Sequence, residues 1–202
     1  MPKITLTYFD MTGGRGEDCR LALHIANVDF TDNRVDYKDW KKLKPTTPFG
    51  AMPVLEVEGV GTLAQSNAIL GYIGTQYGLL PKNEFQAAQH HALLNAAEDL
   101  RSRVSRTIGI KDKDEQKQAR EELAAGYMKD WANNVEKQIQ GPFVAGKQIS
   151  VADLKLYILM NWFKKGIIDH MSVNYFDEYP KLSGLFDAVA CHPKVVEWYS
   201  KD

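Results

Sequence analysis

Residues 48–66, PFGAMPVLEVEGVGTLAQS, constrain the fold more than any other part of the chain. Proline lacks an N–H and suits the first position of a strand, and Pro53 comes directly before the apolar run Val54–Val57. Two glycines then predict a turn into a second short strand at residues 62–64. A helical pattern follows, for which Ser66 is the predicted N-cap. This segment therefore predicts a β-hairpin that leads directly into a helix.

The chain before this hairpin carries a strand–helix–strand pattern. Apolar side chains alternate with polar ones from Ile4 to Tyr8, which indicates a strand with one buried face. A glycine-containing loop follows, Arg15 opens a helical pattern, and residues 30–35 form a second predicted strand. Residues 40–44 are helical at most, because prolines follow them. The order βαβ–ββα predicts a mixed sheet with helices on its faces.

Strand signals stop beyond residue 80, and the rest of the chain is predicted to be an all-α bundle. Ser150 and Asp153 form a predicted capping box before the most apolar helix, residues 151–163, which should lie at the bundle centre. Further helices are predicted at residues 87–108, 115–140, 180–190 and 194–199. The predicted fold is thus α/β plus all-α, with a sheet domain at residues 1–80, a linker at 81–84 and a helical domain at 85–202.

Composition excludes several classes of function. The chain of 202 residues has a net charge of −1, which offers no electrostatic basis for binding nucleic acid. Cys19 and Cys191 lie far apart and form no motif, which favours a reducing compartment over a disulfide scaffold or a zinc site. No apolar run approaches the length of a membrane span. We therefore expect a soluble cytoplasmic protein without a metal.

Three residues are candidates for a binding or catalytic role. Tyr8 ends a strand beside a glycine-containing loop, although most tyrosines in strands only pack. Met52 is pushed toward an extended conformation by Pro53, which leaves its backbone N–H and C=O for a peptide-like ligand. Ser66 either caps its helix and does no more, or it lies where helix N–H groups hold an anion such as a carboxylate. The residues alone leave these alternatives open.

The motifs carry a resemblance to a known family. MPVLE followed by QSNAILGYI looks like part of the thioredoxin-like domain of a cytosolic glutathione transferase. KITLTYFDMTGGRGEDCRLAL and DWKKLKPTTPFG resemble the sigma class, which includes the glutathione-dependent prostaglandin D synthases and the lens S-crystallins. SVADLKLY resembles the capping box of the family's C-terminal helical domain. The resemblance implies a detoxifying enzyme with glutathione as its co-substrate.

The resemblance assigns the catalytic role to Tyr8 and Arg15. The tyrosine hydroxyl would donate a hydrogen bond to the glutathione sulfur, and the arginine would support the thiolate. A free cysteine thiol has a pKa near ~8.5, so ionisation at neutral pH requires a shift of about 2 units, roughly 2.7 kcal/mol. One charge-assisted hydrogen bond contributes about 1.5–3 kcal/mol, so Tyr8 would supply most of the shift. Thr12 is the other nearby hydroxyl and is the weaker candidate.

The same resemblance assigns glutathione-binding roles to the segments around the hairpin. Trp40 and Lys44 would bind the glycine carboxylate through an indole N–H and an ammonium group. The γ-glutamyl carboxylate would lie at the helix N-terminus and the cysteinyl part beside the strand mouth. The implied binding residues are Trp40, Lys44, Ala51, Met52, Pro53, Gln65 and Ser66, with Ala51 in a place where some relatives carry lysine.

Asp99 follows Glu98 on the first helix of the predicted helical domain, where adjacent carboxylates are usually solvated. In sigma-like proteins an aspartate at this place reaches the γ-glutamyl amine of glutathione in the partner subunit. The resemblance therefore implies a homodimer with twofold symmetry.

Arg101, Arg103 and Arg106 are the residues that bear on the choice of electrophile. Either they form a cationic wall of the electrophile pocket or they point to solvent. A cationic wall would favour a transferase for polar or anionic electrophiles. The alternatives are a glutathione-dependent isomerase such as a prostaglandin D synthase, and a non-catalytic relative that is crystallin-like or carries a ligand.

Overall fold

A four-stranded mixed sheet organises the N-terminal part of the computed structural model. Strand β1 (Ile4–Phe9) runs parallel to β2 (Thr31–Val35) and antiparallel to β3 (Val54–Val57), which pairs with β4 (Gly61–Ala64). The strand order is β2-β1-β3-β4, so the two inner strands are the most apolar. The predicted hairpin and the mixed sheet are confirmed.

Within residues 2–200, four helices accompany the sheet. Helix α1 (Gly14–Ile25) follows β1, and α2 (Tyr37–Leu43) follows β2 and continues into a 3₁₀ turn. Helix α3 (Ser66–Tyr77) follows β4, and α9 (Pro193–Tyr199) comes from the end of the chain. Ten of the twelve residues of α1 are buried, whereas α2 has no buried residue. Helix α1 is therefore part of the core, and α2 lies on the surface.

The start of α3 differs from its prediction. Ser66 was expected to be the N-cap, but it is the first helical residue, and Gln65 holds the N-cap position. Gln65 has a φ of 74°, a left-handed conformation that few residues other than glycine adopt. This backbone geometry lets β4 turn directly into α3. The prediction was wrong by one residue, because side-chain preference at a cap does not report the backbone angles that the hairpin imposes.

The structure describes residues 2–200, which separate into two units. One unit contains residues 2–87 and 192–200, and the other contains residues 88–191. Helix α9 is thus grouped with the sheet. The predicted domain limits stay a prediction, because units defined by contacts and independently folding domains need not coincide.

The second unit is helical. It contains helix α4 (Glu84–Ile108) from residue 88 onward, and helices α5 (Lys113–Leu123), α6 (Lys129–Glu136), α7 (Val151–Lys164) and α8 (Pro180–Ala190). The single helix predicted at residues 115–140 is interrupted by a π turn at Ala124–Met128 between α5 and α6. The hydroxyl of Tyr175 donates a 2.6 Å hydrogen bond to the carbonyl oxygen of Ala124, where the helical ladder changes.

Helix α7 is the core of this unit. Eleven of its fourteen residues are buried, as its all-round apolar sequence predicts. The capping box is confirmed: the carboxylate of Asp153 accepts hydrogen bonds from the N–H and hydroxyl of Ser150 at 2.7 and 2.6 Å. It also accepts a 2.7 Å bond from the N–H of Val144. None of the helices within residues 2–200 combines the length and the apolar character needed to cross a membrane.

Candidate active site

Strand directions place the predicted glutathione-binding segments at one edge of the sheet. Strands β1 and β2 are parallel, so the residues after both strands meet at the same edge. Strand β3 is antiparallel to β1 and therefore begins at that edge, and β4 ends there. Tyr8, the α2 segment, the start of β3 at Val54 and the start of α3 at Ser66 consequently share one edge. The topology alone explains why segments far apart in sequence come together.

Tyr8 is 7% exposed, and its hydroxyl has a defined donor beside it. The backbone N–H of Arg15, in the first turn of α1, donates a hydrogen bond to the Tyr8 hydroxyl oxygen at 3.3 Å. A donor that points at a hydroxyl oxygen polarises the O–H bond and strengthens the hydroxyl as a donor in turn. The helix N-terminus adds a positive partial charge at the same place. This arrangement suits a hydroxyl that stabilises an anion.

Gly14 and Gly16 make the space that Tyr8 occupies. A Cβ atom at Gly14 would lie 2.7 Å from the Tyr8 hydroxyl oxygen, and Gly14 also has a φ of 70°. A Cβ atom at Gly16 would overlap the root of the Tyr8 ring. The sequence prediction treated the glycines before Arg15 only as a loop. Their spacing in GGRG was the available signal that a side chain packs against the start of the helix.

Arg15 contributes its backbone to the site, as described above. Its side chain, which is half-buried, was predicted to support a thiolate. That role stays a prediction. The Sγ of Cys19 lies 3.5 Å from the Arg15 carbonyl oxygen and is buried, as expected for a thiol inside the helix.

Trp40 and Lys44 lie on and just after α2. The Trp40 ring meets Phe9 edge-on with ring centroids 5.6 Å apart, and Phe9 also contacts the Tyr8 ring edge-on at 5.5 Å. Lys44 is exposed, and its side chain crosses Gly50, where an added Cβ would lie 3.4 Å from the Lys44 Cε. The aromatic chain from Tyr8 to Trp40 thus fixes the inner side of a helix that otherwise has no buried residue.

The remaining binding candidates flank the hairpin. The Met52–Pro53 peptide bond is cis. Pro53 is buried, Met52 is half-buried and Ala51 is exposed. At the other strand end Gln65 is exposed, whereas Ser66 is 5% exposed at the N-terminus of α3. The structure thus brings the predicted residues of this unit to one edge, and their contacts with glutathione stay a prediction.

Asp99 and Glu98 differ in environment although they are neighbours on α4. Asp99 is exposed. Glu98 instead forms an ion pair with Lys155 of α7, with 3.2 Å between Nζ and Oε2, and the Lys155 side chain is fully buried. The expectation that both carboxylates are solvated is therefore wrong for Glu98. Lys155 was missed because a lysine within an apolar helical run gives no sign of its partner.

The three arginines of α4 lie in different environments. Arg101 is fully buried, and its guanidinium carbon lies 5.2 Å from the ring centroid of Trp162. Arg103 is exposed and lies over the ring of Tyr127 at 3.9 Å, and Arg106 is exposed. The expectation that all three side chains point to solvent is therefore wrong for Arg101. Whether the arginines form a cationic wall of the electrophile pocket stays a prediction.

Comparisons with known proteins identify the family. The model of the glutathione S-transferase N-terminal domain matches residues 4–75, and that of the C-terminal domain matches residues 98–202. Glutathione S-transferase 1 of Ascaris suum is 34% identical over 96% of this chain and 98% of its own length. Hematopoietic prostaglandin D synthase of Gallus gallus is 28% identical over 100% and 97%.

Solved structures agree with this result. The structure of prostaglandin synthase D of Nilaparvata lugens superposes with a TM-score of 0.87 at 30% identity, over 99% of this chain and 98% of that one. The chain belongs to the glutathione S-transferase family. Its fold is accordingly the thioredoxin-like sheet domain followed by the helical domain that the sequence predicted.

Proposed function

We propose that this protein is a sigma-class glutathione transferase that conjugates the glutathione thiolate to electrophiles, with Tyr8 as the residue that stabilises the thiolate. The observation that carries the proposal is the Tyr8 hydroxyl, held by the Arg15 N–H at the sheet edge where the other predicted binding segments meet. Membership of the family supports the use of glutathione as co-substrate. Two cysteines without a motif favour a reducing compartment and so support a cytoplasmic location, and the detoxifying role rests on the family.

The proposed mechanism needs no covalent intermediate with the enzyme. The Tyr8 hydroxyl donates to the sulfur and lowers the free energy of the thiolate, and the Arg15 side chain adds positive charge. The N-terminus of α3, with Gln65 and Ser66, holds the γ-glutamyl carboxylate through its N–H groups. The backbone of Met52 aligns the cysteinyl part. These contacts keep the sulfur in place while it attacks the electrophile.

The test is an absorbance titration of the thiolate of bound glutathione in wild-type protein and in Tyr8→Phe. We expect a bound-thiol pKa about 2 units below the free value in wild type, and a return of about 1–2 units toward it in the variant. Tyr77→Phe, at the opposite end of α3, is the matched control and should leave the titration unchanged. A wild-type thiol pKa equal to that of free glutathione would refute the proposal.

A glutathione-dependent isomerase is the second candidate. It is favoured by the full-length similarity to prostaglandin D synthases. Product analysis with a prostaglandin endoperoxide separates the two functions, because only the isomerase forms a D-series prostaglandin faster than the enzyme-free reaction does. A non-catalytic crystallin-like or ligand-carrying role would be indicated by glutathione binding without turnover of any electrophile.

We further propose a homodimer. Asp99 is exposed on α4, where it is available to a second subunit. An open groove of about 380 Å³ has α4 on one side and the π turn and α6 on the other. We propose that a second copy of the chain occupies this groove. Its apolar lining includes Leu93, Ala96, Tyr127, Trp131 and Val135.

Sedimentation velocity tests the dimer. Ala92 lines the groove, whereas Ala88 is exposed on the same helix outside it. We expect wild type and Ala88→Arg to sediment as dimers and Ala92→Arg to sediment as a monomer. A wild-type monomer at micromolar concentration would contradict the proposal.

A further inference from the structure

Arg20 is a fully buried arginine in the middle of α1, and its guanidinium is surrounded by acceptors. Its Nε donates to Asp32 Oδ1 at 2.9 Å, and its Nη1 donates to Glu17 Oε2 at 3.3 Å. A buried guanidinium is costly to desolvate, and here two carboxylates offset that cost. A leucine would fill this helix position without any such arrangement. The burial of an arginine therefore calls for an account beyond packing.

The other two hydrogen bonds of Arg20 hold the backbone immediately after Tyr8. Nη1 donates to the carbonyl oxygen of Met11 at 2.9 Å, and Nη2 donates to that of Phe9 at 3.1 Å. These two carbonyls belong to the short segment between Tyr8 and the start of α1. The guanidinium carbon also lies 5.7 Å from the centroid of the Tyr8 ring. Arg20 thus ties the helix that carries the Arg15 N–H to the segment that follows Tyr8.

Glu17 extends this arrangement to the end of the chain. Its side chain is 1% exposed, and its Oε1 accepts a 2.8 Å hydrogen bond from the indole N–H of Trp198 in α9. The same carboxylate meets Arg20 through Oε2. One buried carboxylate therefore connects the C-terminal helix to the guanidinium that holds the segment after Tyr8. All of these residues belong to the unit that contains the sheet.

We propose that Arg20 is a positioning residue for Tyr8, and that Glu17 and Trp198 set its orientation. The proposal rests on the proposed function of Tyr8 as the group that stabilises the thiolate. Arg20 acts through the backbone of residues 9–11, which sets how the Tyr8 hydroxyl meets the Arg15 N–H. Only the planar fork of an arginine reaches two carbonyls and two carboxylates at once, and a lysine ammonium does not reproduce this geometry.

Arg20→Lys is the decisive variant, and Arg34→Lys is its matched control. Arg34 also donates to Asp32, through Nε at 2.7 Å, and its Nη1 donates to the Asp10 side chain at 3.3 Å. The carbonyls of Phe9 and Met11 accept from Arg20 instead, so the control keeps the backbone contacts of this segment. We expect Arg20→Lys to raise the thiol pKa of bound glutathione by about 0.5–1 unit. It should lower kcat roughly three- to tenfold while the KM for glutathione changes by less than about twofold. Arg34→Lys should change none of these values.

Trp198→Phe keeps an aromatic ring but removes the donor to Glu17, and it is the second test. We expect a smaller rise of the bound-thiol pKa in the same direction. Thermal unfolding shows which variants are folded. A folded Arg20→Lys with the wild-type thiol pKa would overturn the proposal, and if that variant does not fold, an unchanged pKa in Trp198→Phe would overturn it. A wild-type thiol pKa without depression would instead refute the function of Tyr8 itself.

Discussion

Gly16→Ala separates the local preference of a helix from the packing of the site. Gly16 lies in the first turn of α1 and is buried. Helix propensity alone predicts that alanine stabilises this position by up to about 1 kcal/mol. The structure predicts the opposite, because the new methyl group would overlap the Tyr8 ring at its root and lie 2.6 Å from the Tyr8 Cβ. The root of a side chain is anchored to its strand and cannot move aside.

The expected magnitude follows from these two opposing effects. Overpacking of a filled site costs about 1–3 kcal/mol, and the upper end applies because a rigid ring is displaced. After the gain in helix propensity, we expect a net loss of about 2 kcal/mol in the free energy of unfolding. Displacement of the Tyr8 hydroxyl from the thiolate would cost a further charge-assisted hydrogen bond. That loss corresponds to a fall in kcat/KM of roughly tenfold or more.

Urea unfolding and glutathione-conjugation kinetics measure the two effects on the same preparation. Gly184→Ala is the matched control, since Gly184 is an exposed residue inside α8 and an added Cβ there meets nothing within 4 Å. This control should be stabilised by about 0.5–1 kcal/mol and should keep full activity. If Gly16→Ala were as stable and as active as Gly184→Ala, the inferred packing of Tyr8 against α1 would be wrong.

Two further changes test the helix caps. Asp153→Ala should lower the free energy of unfolding by about 3 kcal/mol or more, because the buried N–H groups of Val144 and Ser150 lose their acceptor. Asp112→Ala, at an exposed helix cap, should lower it by only about 1 kcal/mol in the same urea titration. Burial lowers the pKa of His192, whose Nδ1 accepts from the Lys194 N–H, so the unfolded state binds its proton first as pH falls. Stability should therefore decline as pH falls below about 6.5, and His192→Asn should show a smaller decline in urea midpoints between about pH 7.5 and 5.

Local patterns of the sequence were sufficient to predict most of the secondary-structure elements. The alternation from Ile4 to Tyr8, the proline before Val54–Val57 and the Ser150–Asp153 box are each contained in one short segment. The spacing of apolar residues follows the period of the strand or helix, so a single segment predicts the element although its packing partners lie elsewhere in the chain. The family resemblance of these segments, rather than their periodicity, predicted Tyr8 and the hairpin as the centre of the candidate site.

Local patterns did not predict the backbone conformations and buried charged residues that depend on a distant element. The π turn at Ala124–Met128 interrupts an unbroken helical pattern, and its first carbonyl is met by Tyr175, 51 residues away. Ser66 is the first helical residue because the hairpin forces Gln65 into a left-handed conformation. These features have no signature in the segments where they occur.

The sequence by itself determined the order of strands and helices, the position of Tyr8 at a strand end and the resemblance to a glutathione transferase. Only the tertiary structure decided which charged side chains are buried and what they hold. Arg20 and Glu17 read as ordinary polar residues of an amphipathic helix, yet Glu17 meets Trp198 across 181 residues of sequence. A buried charge is stable only beside its partners, and those partners are brought together by the fold as a whole.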